Sequence, residues 1–176
     1  MSSRPVASLK YYGISPWELE VLYGLLNSMF RVEEHPDPQK YEGYTTMLDI
    51  VFPLEFNDAF FKWFGNARWD KVKGLLKELK RRRGSGRTLQ IYIRFSGNPN
   101  INFVVDLLEN NWFNTAIDKI DFVLELLPFQ LDPKKIPQDI SDVIYEFDET
   151  AGKWGLRTAD SNDQTYVFSK NEWKLT

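Results

Sequence analysis

The spacing of apolar side chains along this chain alternates between helical and strand-like, and each change predicts an element. Ser15-Pro16-Trp17-Glu18 is a capping box: a hydroxyl to accept an orphan amide, proline at the first helical position, and glutamate three residues on to bond back. Behind it Leu19, Leu22, Leu25, Leu26, Met29 and Phe30 share one helical face. This helix is expected to end near Arg31, before an acidic loop over Glu33–Pro38. From Thr45 the period becomes two: Leu48, Ile50 and Phe52 alternate with Met47, Asp49 and Val51, which predicts a strand closed by Pro53.

Asn57 or Asp58 then caps a short aromatic helix with Phe60, Phe61 and Phe64, broken at Gly65-Asn66. In the helix that follows, Trp69, Val72, Leu76 and Leu79 form the apolar stripe, with Lys73, Lys77, Lys80 and Arg81 on the far side. One more step of rotation returns Arg83 to the apolar face, so the helix is expected to end near Arg82, with Gly84 in its cap.

A hairpin follows. Leu89, Ile91, Ile93 and Phe95 alternate with Gln90, Tyr92 and Arg94, and Ile101, Phe103 and Val105 resume the pattern after Ser96-Gly97-Asn98-Pro99-Asn100. A five-residue loop sets Phe95 opposite Ile101, Ile93 opposite Phe103 and Ile91 opposite Val105. On the outer face, Arg94 then meets Asn102, Tyr92 meets Val104 and Gln90 meets Asp106. A third major helix places Trp112, Phe113, Ala116, Ile117, Ile120, Val123, Leu124 and Leu127 on one face and stops at Pro128. Phe122 falls off that stripe, and the connector or the later strands are expected to cover it. After a proline-punctuated connector to Pro137, segments 143–147, 154–158, 165–168 and 173–175 read as an antiparallel meander that extends the sheet or packs as a small second one.

After the first helix the order is strand, helix, strand, strand, helix, strand. It predicts an α+β fold: a two-layer ferredoxin-like (split β-α-β) sandwich with an antiparallel C-terminal β-meander and an extra N-terminal helix. Residues 1–44 form the N-terminal helix and acidic loop, 45–137 the sandwich core, and 138–176 the meander of the same domain.

Composition narrows the chemistry. The 176 residues contain no cysteine and one histidine, which excludes disulfides, thiolate metal sites and a cysteine nucleophile. An aromatic content of 15% supplies a large core and excludes a disordered chain. The N-terminus has no apolar run of a secretory type, and no stretch has bilayer-spanning length, so a soluble, cytoplasmic protein is expected. His35, among Glu33, Glu34 and Asp37, reads as part of a solvated loop rather than a metal site. No nucleophile elbow or phosphate loop is present, since Gly84-Ser85-Gly86 lacks the rest of such a motif. No cofactor is expected. If the chain is an enzyme, an unrecognised hydrolase or transferase, carboxylates from Asp49, Asp106 or Glu146 are expected to converge in a deep pocket.

The charge is unevenly placed. Between Arg68 and Arg94, ten basic residues oppose only Asp70 and Glu78, a net of +8 within a chain whose total is −3. Residues 1–67 carry −4 and residues 95–176 carry −7. The candidate binding patch is Lys73, Lys77, Lys80, Arg81, Arg82, Arg83, Arg87, Tyr92 and Arg94. Lysine and arginine at a helix end also complement the helix dipole and solubilise an outward face. The function expected is a non-catalytic binding or regulatory protein, of inhibitor or immunity type, that meets a protein partner through charged surfaces. The alternative is nucleic-acid binding by the basic helix end and turn, residues 77–94.

Overall fold

Ser15 caps the first helix as its sequence predicts: its Oγ accepts from the Glu18 amide at 3.2 Å, and Glu18 Oε1 accepts from the Ser15 amide at 2.9 Å. The computed structural model describes residues 3–38, 45–84 and 89–176. Its first half comprises β1 (Val6–Tyr12), α1 (Pro16–Asn27), β2 (Arg31–Pro36), β3 (Thr46–Phe52), α2 (Asp58–Phe64), α3 (Asn66–Arg83) and β4 (Leu89–Phe95). There follow β5 (Asn100–Val105), α4 (Asn110–Asp118), a 3-10 segment (Asp121–Glu125), α5 (Leu127–Gln130), β6 (Asp142–Asp148), β7 (Lys153–Asp160), β8 (Thr165–Ser169) and β9 (Glu172–Leu175).

Among the described residues the strands form one nine-stranded sheet in the order β2-β1-β3-β4-β5-β6-β7-β8-β9. The mixed α+β class is therefore as expected, and the C-terminal meander extends the main sheet. The hairpin register also matches the expected core pairs: Phe95 faces Ile101, Ile93 faces Phe103 and Ile91 faces Val105. Two strands were not legible. β1 and β2 pair in parallel around α1, and β1 runs antiparallel to β3, so the N-terminal segment brings a whole β-α-β unit rather than a helix and loop.

The parallel partners β3/β4 and β5/β6 are immediate neighbours, whereas a split β-α-β unit carries another strand between them. The reason is local: the β4–β5 hairpin holds those two strands side by side, and β1 occupies the free edge of β3. With the helices on one face, the crossovers β1→β2 and β3→β4 turn with the same hand. The crossover β5→β6 turns with the opposite one, so the three cannot all obey the usual right-handed preference.

The core lies between helices and sheet. Leu48, Ile50 and Phe52 on β3, Ile91, Ile93 and Phe95 on β4, Phe103 on β5 and Tyr145 on β6 are buried. They meet Leu22 and Leu26 of α1, Trp69, Val72, Leu76 and Leu79 of α3, and Phe113 and Ile117 of α4. No helix among the described residues is long and apolar enough to cross a membrane.

Candidate functional site

The basic helix is matched internally along most of its length. Lys73 lies 3.4 Å from Asp70, and Lys77 reaches across to Asp118 of α4 at 2.6 Å. Arg81 Nε donates to Glu78 at 2.8 Å. Lys80 is fully buried, close to the Phe113 ring. Desolvation there pushes its pKa down, against the opposing pull of Asp106 and Glu109.

Helix α3 runs one residue beyond the expected end, and Arg83 does turn to the buried side. Its guanidinium grips Glu18 with two hydrogen bonds, Nη1 to Oε2 at 2.8 Å and Nη2 to Oε1 at 2.9 Å. It also donates to Thr46 Oγ1 and to the Gly13 carbonyl. Glu18 is only 3% exposed, and hydrogen bonding to Arg83 is the main reason its carboxyl falls from 4.5 to about 2.

Arg82 stacks over Trp17 at 5.1 Å and approaches Glu18 at 3.4 Å. Tyr92 and Arg94 project from the sheet face opposite the helices, because β4 alternates and its buried residues point the other way. The residues proposed from sequence are thus divided between two faces, and Arg87 lies outside the described residues.

The helix-free face of the sheet holds a polar chain across four strands. Arg94 Nε donates to Asp49 at 2.9 Å, and its guanidinium covers the Tyr92 ring at 4.7 Å. Arg94 also approaches Asn102 Oδ1, whose amide donates to Asp142 at 3.2 Å and to the Val143 carbonyl at 3.1 Å. Asn100 adds a second donor to Asp142. Beside this chain a cavity of about 350 Å³ is lined by Gln90, Tyr92, Val104, Asp106, Ile144 and Glu146. It brings together two of the three carboxylates considered for acid–base work. Asp49 is held apart by Arg94.

His35 lies on the exposed edge strand β2, 3.9 Å from Glu33. Among the described residues no group of three or more histidine or acidic side chains can hold a metal ion.

Phe122, expected to be covered, is open instead. Past α4 the helical path tightens into the 3-10 segment and resumes at α5 with Pro128 in its first turn. Ile120 and Val123 stay buried, while Phe122, Leu126 and Phe129 are 62%, 40% and 77% exposed. These three form one exposed apolar stretch, the ridge, across the 3-10 segment and α5, and neither the connector nor the meander covers Phe122. Asp118 and Glu125, four residues before and three residues after Phe122, are both exposed. The available signal was Phe122 itself, off the stripe of its helix; Phe129, after Pro128, gave none.

No family model, curated protein or solved structure matches this chain, so its functional reading rests on these surfaces.

Proposed function

We propose that this chain is a non-catalytic binding protein that docks a protein partner through the ridge Phe122–Leu126–Phe129. The carrying observation is the exposure of Phe122 and Phe129, 62% and 77%, seven residues apart in one segment. Buried aromatics stabilise complexes far more than the average contact, and an exposed cluster of this kind marks interaction surfaces. The basic helix supports this role less well, since Lys73, Lys77, Arg81 and Arg83 each already face a carboxylate.

The test is a photo-crosslinker placed at position 129 in cells that express the protein, followed by binding of the purified crosslinked partner. Phe122→Ser with Phe129→Ser should weaken that binding by about tenfold or more, the effect of losing a hot spot of roughly 1.4 kcal/mol or larger. Undiminished binding by the double variant would refute the reading.

A second reading is favoured by one pair: Trp17, 57% exposed, stacked on Arg82 beside Arg81. An indole and a guanidinium at a basic helix end can stack a base and neutralise phosphate. Gel shifts with single- and double-stranded probes at low salt test it. Binding that is lost in Arg81→Ala with Arg82→Ala, and that falls steeply with salt, supports this reading.

A further inference from the structure

Resting on that reading of the ridge as a docking surface, we infer that its occupant is a basic amphipathic segment. Such a segment presents two turns of apolar side chains to Phe122, Leu126 and Phe129 and lysine or arginine to the carboxylates beside them.

The charge around the ridge carries the argument. Asp118, Asp121 and Glu125 lie at its N-terminal half. The one cation within that stretch, Lys119, is engaged with the Gly152 carbonyl at 2.8 Å. Asp121 is partly buried, with Oδ1 lacking a hydrogen-bond partner, and Glu125 beside it is the exposed carboxylate. The cation facing Asp118 is Lys77, and Asp118 remains half exposed.

A second copy of this chain packed ridge to ridge in parallel would set Asp118, Asp121 and Glu125 near their own counterparts, and like charges at an interface disfavour association. An acidic partner meets the same penalty. A second copy packed antiparallel would set them near Lys134 and Lys135, so sedimentation is read alongside peptide binding.

Geometry adds length and polarity. Phe129 follows Phe122 by seven residues, a span of roughly 10–14 Å at 1.5 Å per residue in α-helix and 2.0 Å in 3-10 helix, so about two turns of a partner helix match it. Lys134 and Lys135 are exposed beyond Phe129. The positive side chains of the partner therefore belong at the Asp118–Glu125 end, with neutral or acidic ones toward Lys135.

The experiment uses the full chain and three synthetic helical peptides of about 14 residues: leucine with lysine on the polar face, leucine with glutamate, and leucine with glutamine. Fluorescence anisotropy is read at about 50 mM and about 300 mM salt, where screening differs strongly. The lysine peptide should bind tightest. Its affinity should fall by about tenfold in Phe122→Ser with Phe129→Ser, and comparably in Asp121→Asn with Glu125→Gln. It should be unchanged in the control Glu20→Gln with Glu34→Gln, exposed positions on α1 and the edge strand β2. Equal binding of the glutamate peptide overturns the inference, as does loss of binding in the control alone. A dimer in sedimentation that Phe129→Ser dissolves also overturns it. A crosslink from position 129 to an acidic partner segment would overturn the basic-segment inference while leaving the docking surface standing. Partner binding insensitive to both ridge phenylalanines would remove the docking surface itself.

Discussion

Arg83 and Glu18, 65 residues apart in the chain, form a two-pronged ion pair at 2.8 and 2.9 Å that joins the end of α3 to the start of α1. The pair also gathers Ser15, Thr46 and the Gly13 carbonyl into one polar knot at the rim of the core. A buried pair of this kind is sustained by the additional hydrogen bonds around it, and removing one partner strands the other.

Glu18→Gln should therefore destabilise the fold at neutral pH. Holding the carboxyl at about 2 instead of 4.5 corresponds to about 3 kcal/mol of linked stability. Because the folded pKa is the lower one, this contribution is complete above about 4.5 and disappears as the pH falls through about 2. Urea unfolding of wild type and Glu18→Gln should show a gap at pH 7 that closes across that acid window. A gap independent of pH would contradict the assignment.

Two glycines with similar φ angles should respond differently to alanine. At Gly13, φ +69°, a Cβ would sit 1.8 Å from the Thr45 carbonyl oxygen, while at Gly84, φ +77°, it meets nothing within 4 Å among the described residues. Gly84 has ψ −165°, a positive-φ extended conformation that is essentially reserved for glycine, so Gly84→Ala should cost about 1–3 kcal/mol from backbone strain alone. Gly13→Ala adds a backbone clash beside the Arg83 knot and should cost more than about 3 kcal/mol, read from thermal unfolding.

Aromatic residues at two depths separate stability from docking. Phe52 contacts the rings of Phe30, Phe60, Phe64, Trp69 and Phe95 at centroid distances of 5.1–6.4 Å. Phe52→Ala should cost about 3–5 kcal/mol. Phe129→Ser, at an open position, should change stability by no more than about 0.5 kcal/mol. Chemical denaturation of the two variants checks the contrast, and a large loss in Phe129→Ser would show that the ridge is structural.

Asn102 is buried in the middle of the sheet and bridges β5 to β6 through Asp142 and the Val143 carbonyl. Asn102→Leu should cost about 1–3 kcal/mol by removing the side-chain donor to the Val143 carbonyl and one of the two donors to Asp142. Asn102→Asp places a second carboxylate beside Asp142, so its destabilisation should be greater at neutral pH than near pH 3, where protonation relieves the repulsion. Denaturant midpoints at the two pH values check the sign.

How much of this was legible depended on whether a residue's partner lay nearby. The β4–β5 hairpin register follows from strict alternation and a short loop, and the pairs Ile93–Phe103 and Ile91–Val105 formed as expected. The Ser15 cap and the Asn57 cap were legible for the same reason, since donor and acceptor are three residues apart. β2 was read as a loop because Arg31–Pro36 has one apolar side chain suited to a strand; β1 supplies its pairing by hydrogen bonds. The described residues of the candidate basic patch lie on two faces because Tyr92 and Arg94 point away from the helices. The counter-charges of Lys77 and Arg83, Asp118 and Glu18, arrive from other helices.

The sequence by itself determined the elements whose stabilising contacts are local: helix caps, the β4–β5 register, the alternation that buries one face of each central strand, and the charge of each segment. Only the tertiary structure decided where those charges go. Helix packing brought Glu18 to Arg83 and Asp118 to Lys77, which cancelled much of the basic segment. The same packing left Phe122 and Phe129 uncovered. Local patterning records how a side chain is oriented on its own element, but its partner is set by which distant element the chain brings against it.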